Sequence, residues 1–334
     1  MMKQSQSGIS RRTLLQSTVV AAAMPAASLF PSPALAQAYP SQDVHFICGF
    51  AAGSGADIIV RYFAEKIRKP MGRTIIVENR VGAIGNIATE YVARSKPDGH
   101  TIYVTGANSV AANMHLFKTP TVDAANALQI VATIYNATMM IAVRPDSPFK
   151  DARDLAAAMK QKGDKATWGF TNPTGKVLGA LYRDRAGLSS TEVGYKTAAD
   201  FFNDLSSGGL DYVAMDNVAA MSNAREGRIK ILAVGSATRM QSTPELLTMT
   251  EQGYPMDVRT WWAGLVPMAT PRPIVDQLNK WFSEAVAAED TKKFLASVAS
   301  DPWISTPDEA QAYFRKDIDR WADYVKLAKI EPQG

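Results

Sequence analysis

Residues 47–67 read ICGFAAGSGADIIVRYFAEKI, and the reading of this stretch decides the fold. The apolar run from Val44 to Phe50 predicts a strand. Gly53-Ser54-Gly55 predicts a tight turn, after which Ile59, Phe63 and Ile67 recur at helical spacing beside Ile58 and Tyr62. A strand that enters a helix through such a turn leaves free N–H groups at the helix N-terminus, where the helix dipole favours an anion. Asp57 reads as an N-cap that orients the turn.

The same grammar continues outward. Thr74–Glu78 and Thr101–Thr105 predict strands, with a helix from about Ile87 to Arg94 and a turn at Pro97-Asp98-Gly99. A second block follows Pro145-Asp146-Ser147-Pro148, with a helix over Asp151–Lys162 and a strand over Ala166–Phe170. Val193–Lys196, Leu210–Met215, Ile229–Val234 and Trp261–Val266 predict further strands. Helices are expected to start near Pro271 and Thr291, and a last one carries a capping box: Thr306 at the N-cap, Pro307 at N1, Glu309 at N3. Alternation of this kind predicts an α/β chain with largely parallel sheets covered on both faces.

Composition is that of a globular protein: 334 residues, 46% hydrophobic and 20% charged. Of the formal charge of +4, Lys3, Arg11 and Arg12 supply most, so the rest of the chain is near neutral and carries no electrostatic footprint for nucleic acid. Residues 1–36 read as a twin-arginine signal peptide, with Ser10-Arg11-Arg12-Thr13-Leu14-Leu15 before an alanine-rich apolar run. Cleavage is expected after Ala36 or Ala38, which predicts a bacterial periplasmic protein. Cys48 is the single cysteine, so no intrachain disulfide can form, and its strand setting predicts burial.

Catalytic motifs are weak. His45, His100 and His115 do not stand at metal-ligand spacing, so no metal and no cofactor are expected. Gly175-Lys176 is no P-loop, because Val177 replaces the Ser or Thr. Asp317 and Asp319 read as the solvated face of a charged helix. The opening turn does imitate a dinucleotide site, with Glu78 ending the next strand where a ribose hydroxyl would be held. Ile58, however, stands where G-x-G-x-x-G needs its third glycine, and a free carboxylate suits the turn as well as a phosphate does. An exported nicotinamide-dependent oxidoreductase is therefore the alternative reading.

Over about residues 39–331 the chain resembles the Bug-type solute receptors of tripartite tricarboxylate transporters. Its marks run in order: Tyr39-Pro40-Ser41, the Phe50…Gly53-x-Gly55-x-Asp57 turn, Val77-Glu78-Asn79-Arg80 with Gly82-Ala83 and Gly85-Asn86, Pro97-Asp98-Gly99, and Gly194-Tyr195-Lys196. Gly209-x-Asp211 with Asp216-Asn217, Leu232-Ala233-Val234, Pro267 with Thr270-Pro271, and the Thr306 capping box complete the series. The family usually has prolines at Ala51, Ala52 and Val81, glycine at Ile84 and a small hydroxyl residue at Phe170.

The resemblance implies a non-catalytic receptor with a two-lobed, type II-like periplasmic binding fold, two parallel or mixed sheets joined by hinge strands. Lobe 1 is expected over 39–142 plus 264–334 and lobe 2 over 143–263, with crossings at Met139–Arg144 and Trp261–Val266. The ligand would be a di-, tri- or aromatic carboxylate, the partners the permease subunits of the transporter, and the receptor itself a monomer. The residues implied for the ligand are Phe50, Ser54, Gly55 and Asp57 in one loop and Phe170, Thr171 and Asn172 in the facing one. Ala107, Asn108, Ser109, Lys196, Asp216 and Trp261 complete the set. Alternation sends Trp261 and Trp262 to opposite faces, one to the core and one to the cleft. Phe170 is expected to favour a bulkier or aromatic acid, and Glu78 to serve as a hydrogen-bond partner within its own lobe.

Overall fold

The computed structural model describes residues 39–195 and 198–334. The expected signal peptide lies outside the described residues, as does Lys196. Twenty-two elements follow in chain order. The first group is β1 (Val44–Cys48), α1 (Gly55–Met71), β2 (Ile75–Asn79), α2 (Asn86–Ala93), β3 (Thr101–Gly106), α3 (Asn113–Leu116), α4 (Ala124–Ala127) and β4 (Leu128–Thr138). The second is β5 (Met140–Val143), α5 (Ala152–Lys162), β6 (Thr167–Phe170), α6 (Pro173–Arg185), β7 (Thr191–Gly194), α7 (Ala198–Ser207), β8 (Tyr212–Met215), α8 (Asn217–Arg225) and β9 (Lys230–Val234). The chain then returns through β10 (Arg259–Pro267), α9 (Arg272–Ala287), α10 (Glu289–Ser297), β11 (Ser300–Pro302) and α11 (Pro307–Leu327).

The strands form two sheets. One has six strands in the order β11-β4-β10-β3-β1-β2, and the other five in the order β7-β6-β8-β5-β9. Both are mixed. β1 is parallel to β2 and β3, whereas β10 runs antiparallel between β3 and β4. β6 is parallel to β7 and β8, whereas β5 lies antiparallel between β8 and β9. We call the regions around the two sheets the first and second halves. Thr138 still pairs in the first sheet and Met140 already pairs in the second, so the outward crossing is at Met139. The return lies between Val234 and Arg259, and the boundaries expected at 142/143 and 263/264 therefore fall inside β5 and β10. Trp261–Val266 lies wholly within the first sheet rather than crossing between the two.

The helices cover these sheets with the faces their sequences foretell. α1 buries Ile59, Val60, Phe63 and Ile67, at about 1.5–3 kcal/mol for each large side chain. It ends on Gly72, whose left-handed φ of 68° lets its N–H cap Arg68 and Lys69 carbonyls. The capping box of α11 is formed on both sides, Thr306 Oγ1 accepting from Glu309 N–H and Glu309 accepting from Thr306 N–H. β4 was not anticipated: its run LQIVATIYNAT is apolar on both faces, so it lacks the alternation that marks a half-exposed strand. Asp317 overturns its reading as a solvated residue. It faces inward on α11, 1% exposed, and accepts a hydrogen bond from Trp261 Nε1 at 2.7 Å.

Candidate ligand-binding cavity

The opening turn is built by a ring of local hydrogen bonds. Ser54, not Asp57, is the N-cap of α1, with extended φ/ψ and its Oγ accepting from Asp57 N–H at 3.3 Å. Asp57 sits at N3 and reaches back to accept from Gly53 N–H at 2.9 Å. The same carboxylate accepts from Arg61 Nε (2.8 Å) and Asn79 Nδ2 (2.8 Å), and Asn79 Nδ2 also donates to the Phe50 carbonyl. Burial alone would push Asp57 up, but the bonds from Arg61, Asn79 and Gly53 outweigh it and hold the carboxyl below its usual range. Asp57 is 2% exposed and fully engaged, so it shapes the loop from behind.

What remains open in this turn faces forward. Gly55 and Ala56 N–H lie in the first turn of α1, where a helix has no internal acceptors to offer. Across from them, α6 starts on Asn172, whose Oδ1 accepts from Gly175 N–H at 2.8 Å, leaving Thr174 N–H open. Gly175 is required there: a Cβ would stand 2.7 Å from the Ala214 carbonyl of β8. α8 starts on Asp216, whose carboxylate accepts from Ala219 N–H at 2.9 Å.

These three helix N-termini converge on one cavity of about 250 Å³. Phe50, Ser54, Gly55, Ala56, Asn108, Tyr135, Thr260 and Trp262 line it from the first half. Asn172, Thr174, Asp216, Asn217 and Val218 line it from the second, with Met139 at the crossing. It lies at the carboxyl ends of β1, β3, β6 and β8, where parallel strands deliver ligand loops. The halves touch around it. Thr174 Oγ1 donates to Asn108 Oδ1 at 2.7 Å, and Asn217 Nδ2 donates to the Val298 carbonyl at 2.5 Å and to Ser300 Oγ at 3.0 Å.

One wall is aromatic. Tyr135 and Trp262 stack with centroids 5.9 Å apart and planes 16° from parallel. Gly106 makes room for this indole, since a Cβ there would lie 2.9 Å from Trp262 Nε1. Burial, with the Asp216 charge adding, pushes Tyr135 well above its ordinary value, so the hydroxyl keeps its proton and remains a donor. Asp216 is itself pushed up by burial, against the pull of N–H groups from Ala219, its own backbone and Val218. Among the described residues that line the cavity, it is the one acid, and no Lys, Arg or His joins it.

Of the residues expected at the ligand, Phe50, Ser54, Gly55, Asn108, Asn172 and Asp216 are brought together on this wall. Ala107 and Ser109 are buried beside it, and the Ser109 carbonyl accepts from Thr89 Oγ1 instead. Trp261 does not reach the cavity. Its indole is held in the core by Asp317, and Trp262 takes the cleft-facing side. Phe170 and Thr171 turn into a separate groove of about 420 Å³ with Ile84, Leu116 and Ile330, because the Phe170 ring packs against Trp168 at 5.5 Å. Tyr135, Thr174 and Thr260 carried no local motif, and only their neighbours in space reveal them.

Other candidate sites are less organised. A surface recess of about 750 Å³, lined by Arg80, Glu90, Tyr91 and Arg94 among others, belongs to the first half alone. It is larger than the cavity between the halves, but no helix N-termini converge on it. Glu78 is occupied within its own half, accepting from His45 Nδ1 at 2.5 Å and Arg80 Nη2 at 2.8 Å, so the acid that would meet a ribose is engaged. Among the described residues no group of three or more His, Cys, Asp or Glu side chains is placed to hold a metal ion.

Comparison with known proteins agrees with this geometry. The family described as the tripartite tricarboxylate transporter family receptor matches residues 59–329. Protein BugT of Bordetella pertussis is 27% identical over 301 residues, covering 88% of this chain and 92% of that protein. The structure of R. palustris Rpa4515 with adipate superposes with a TM-score of 0.80 at 26% identity, over 88% of this chain and 99% of that one. MatC from Rhodopseudomonas palustris, with bound malate, gives 0.73 at 25% identity, over 86% and 100%. The two mixed α/β sheets are thus those of a periplasmic binding protein fold. The chain belongs to the tripartite tricarboxylate transporter receptor family, a family of solute receptors.

Proposed function

We propose that this receptor captures a small carboxylate in the cavity between its halves and delivers it to the membrane permease of a tripartite tricarboxylate transporter. The observation that carries the reading is the convergence of the α1, α6 and α8 N-termini on one cavity between the halves. Open N–H groups at Gly55, Ala56 and Thr174 and the hydroxyls of Ser54 and Tyr135 supply donors for a carboxylate without a cationic side chain. Two structural relatives, those with adipate and malate, were solved with carboxylates.

The halves act as lobes that close on the ligand, joined at Met139 and by the segment between Val234 and Arg259. The Thr174–Asn108 and Asn217–Val298 bonds are then contacts of the closed state. The expected twin-arginine segment supports a periplasmic location. No helix among the described residues is long and apolar enough to cross a membrane. Catalysis is not part of this role.

A thermal-shift screen of mono-, di-, tri- and aromatic carboxylates tests the reading. Ligand at roughly 100 Kd adds about 2.7 kcal/mol of stability, a shift of a few degrees. A screen in which no carboxylate moves the transition, while a dinucleotide does, would overturn it.

A further inference from the structure

Resting on the closure of the two halves over a carboxylate, we propose that the turn between α10 and β11, residues 298–301, is the latch that holds the halves shut, with Asp301 as its clamp and Ala299 as its plug. Strand pairing assigns this turn to the first half: Ser300, Asp301 and Pro302 pair with Ala137, Asn136 and Tyr135 of β4. Its remaining contacts lie across the divide.

Ala299 is fully buried, and among the described residues its core cluster is otherwise drawn from the second half, Met140, Ala220 and Val234 included. Its φ of 51° falls in the left-handed region, which a residue with a Cβ seldom adopts. Such strain persists where surrounding contacts over-determine the backbone. Asn217 Nδ2 supplies two of them, donating to the Val298 carbonyl and to Ser300 Oγ on either side of the plug. Asp301 supplies two more: its Oδ2 accepts from Gln241 N–H at 2.9 Å and its Oδ1 from Ser242 N–H at 2.8 Å. Gln241 and Ser242 move with the second half, because their segment folds back onto β9, where Val234 N–H donates to the Leu247 carbonyl. A hydrogen bond to a carboxylate is about twice as strong as one between neutral groups, so Asp301 is the firmest tie in the turn.

Two features make this tie separable. Among the described residues no strand pairing joins β11 to the second sheet, so parting the turn breaks side-chain bonds and withdraws one methyl group while both sheets stay whole. Withdrawal also releases the strain at Ala299, which gives the open and closed arrangements separate minima. The turn reaches both walls of the cavity: Pro302 pairs with Tyr135, and Asn217 lines the opposite side. A ligand that draws these walls together brings Asp301 to its partners, and a seated Asp301 delays their parting. Asp301 is therefore a positioning residue, absent from the cavity wall and acting through the closed state.

Hydrogen exchange of the wild-type protein, read by mass spectrometry with and without adipate, malate or benzoate, gives the first test. The amides of Gln241 and Ser242 are expected to exchange freely without ligand and to gain at least about tenfold protection when an acid binds. Stopped-flow tryptophan fluorescence, with Trp262 in the cavity wall as reporter, gives the second. Asp301→Ala should raise the dissociation rate of every acid that binds by about tenfold and leave its association rate within about twofold. Asp301→Asn keeps one acceptor and turns an amide NH2 toward the other N–H; it should raise that rate several-fold, and it serves should the alanine variant fold poorly. A fixed structural brace predicts both amides protected without ligand, and variants that lose stability in urea but keep wild-type rates. Either result would overturn the latch and leave the carboxylate reading standing. Binding of none of the three acids by folded wild-type protein would overturn both.

Discussion

Asp317 ties the last helix to the strand whose next residue lines the cavity, and its titration is open to a quantitative test. Its carboxylate accepts from Trp261 Nε1 at 2.7 Å and Arg320 Nη1 at 3.2 Å. Burial pushes the carboxyl up from an ordinary 3.8 to about 6, against the opposing pull of Trp261 and Arg320. The folded chain therefore holds this proton more tightly than the unfolded chain does. A group raised in this way contributes stability that is fully present below the unfolded value and is lost as pH rises through the folded one. At about 1.4 kcal/mol per pH unit the whole effect is about 3 kcal/mol, of which about 1.4 kcal/mol is lost between pH 5 and pH 8.

Asp317→Asn retains an acceptor for Trp261 and does not titrate. Urea unfolding of both proteins at pH 5, 6, 7 and 8, followed by tryptophan fluorescence at constant ionic strength, isolates the group, because all other titrations cancel in the difference. The variant's unfolding free energy relative to wild type should shift in its favour by about 1.4 kcal/mol across that range. A difference that stays constant, or that moves against the variant as pH rises, would show that Arg320 and Trp261 already hold the carboxyl at or below its ordinary value.

Thr174→Val removes the hydroxyl that bridges to Asn108 across the cavity; at about 1 kcal/mol for such a bond, ligand Kd should rise about fivefold by calorimetry. Asp57→Ala releases Gly53, Arg61 and Asn79 together, and should lower stability by about 2 kcal/mol while weakening every carboxylate by a similar factor; untouched binding would disprove its supporting role. Gly175→Ala drives a methyl against the Ala214 carbonyl at the foot of α6, with an expected loss of about 1–3 kcal/mol in chemical denaturation. Phe170→Ser, in the separate groove, should leave the order of carboxylate preference as it is; a reordered screen would place that groove in the ligand path.

Local chemistry was legible from the residues alone. The turn and helix at 53–67 and the capping box at Thr306 each depend on hydrogen bonds spanning four residues or fewer, so the letters in one window suffice, and the strand before them shows in its apolar run. Order along the chain was enough to place the family, and with it the two α/β halves. Even at the opening turn one detail escaped: Ser54 and Asp57 are both able to cap, and only the positioned Asn79 and Arg61 show which one turns backward.

The cavity was settled by tertiary structure. Its wall is drawn from strands that are distant in sequence and become neighbours through sheet order, as when β10 returns between β3 and β4 to set Trp262 against Tyr135. Alternation says that Trp261 and Trp262 face opposite ways, but in a sheet covered on both sides it cannot say which side is core. The buried Asp317 on α11 decides that, by accepting from the Trp261 indole N–H on the core side. Phe170 lies two residues before cavity-lining Asn172 in sequence and outside the cavity in space, its ring packed against Trp168. Helical and strand periodicity assign each side chain to a face; which faces enclose a common space is fixed only when the sheets, their order and their register are all in place.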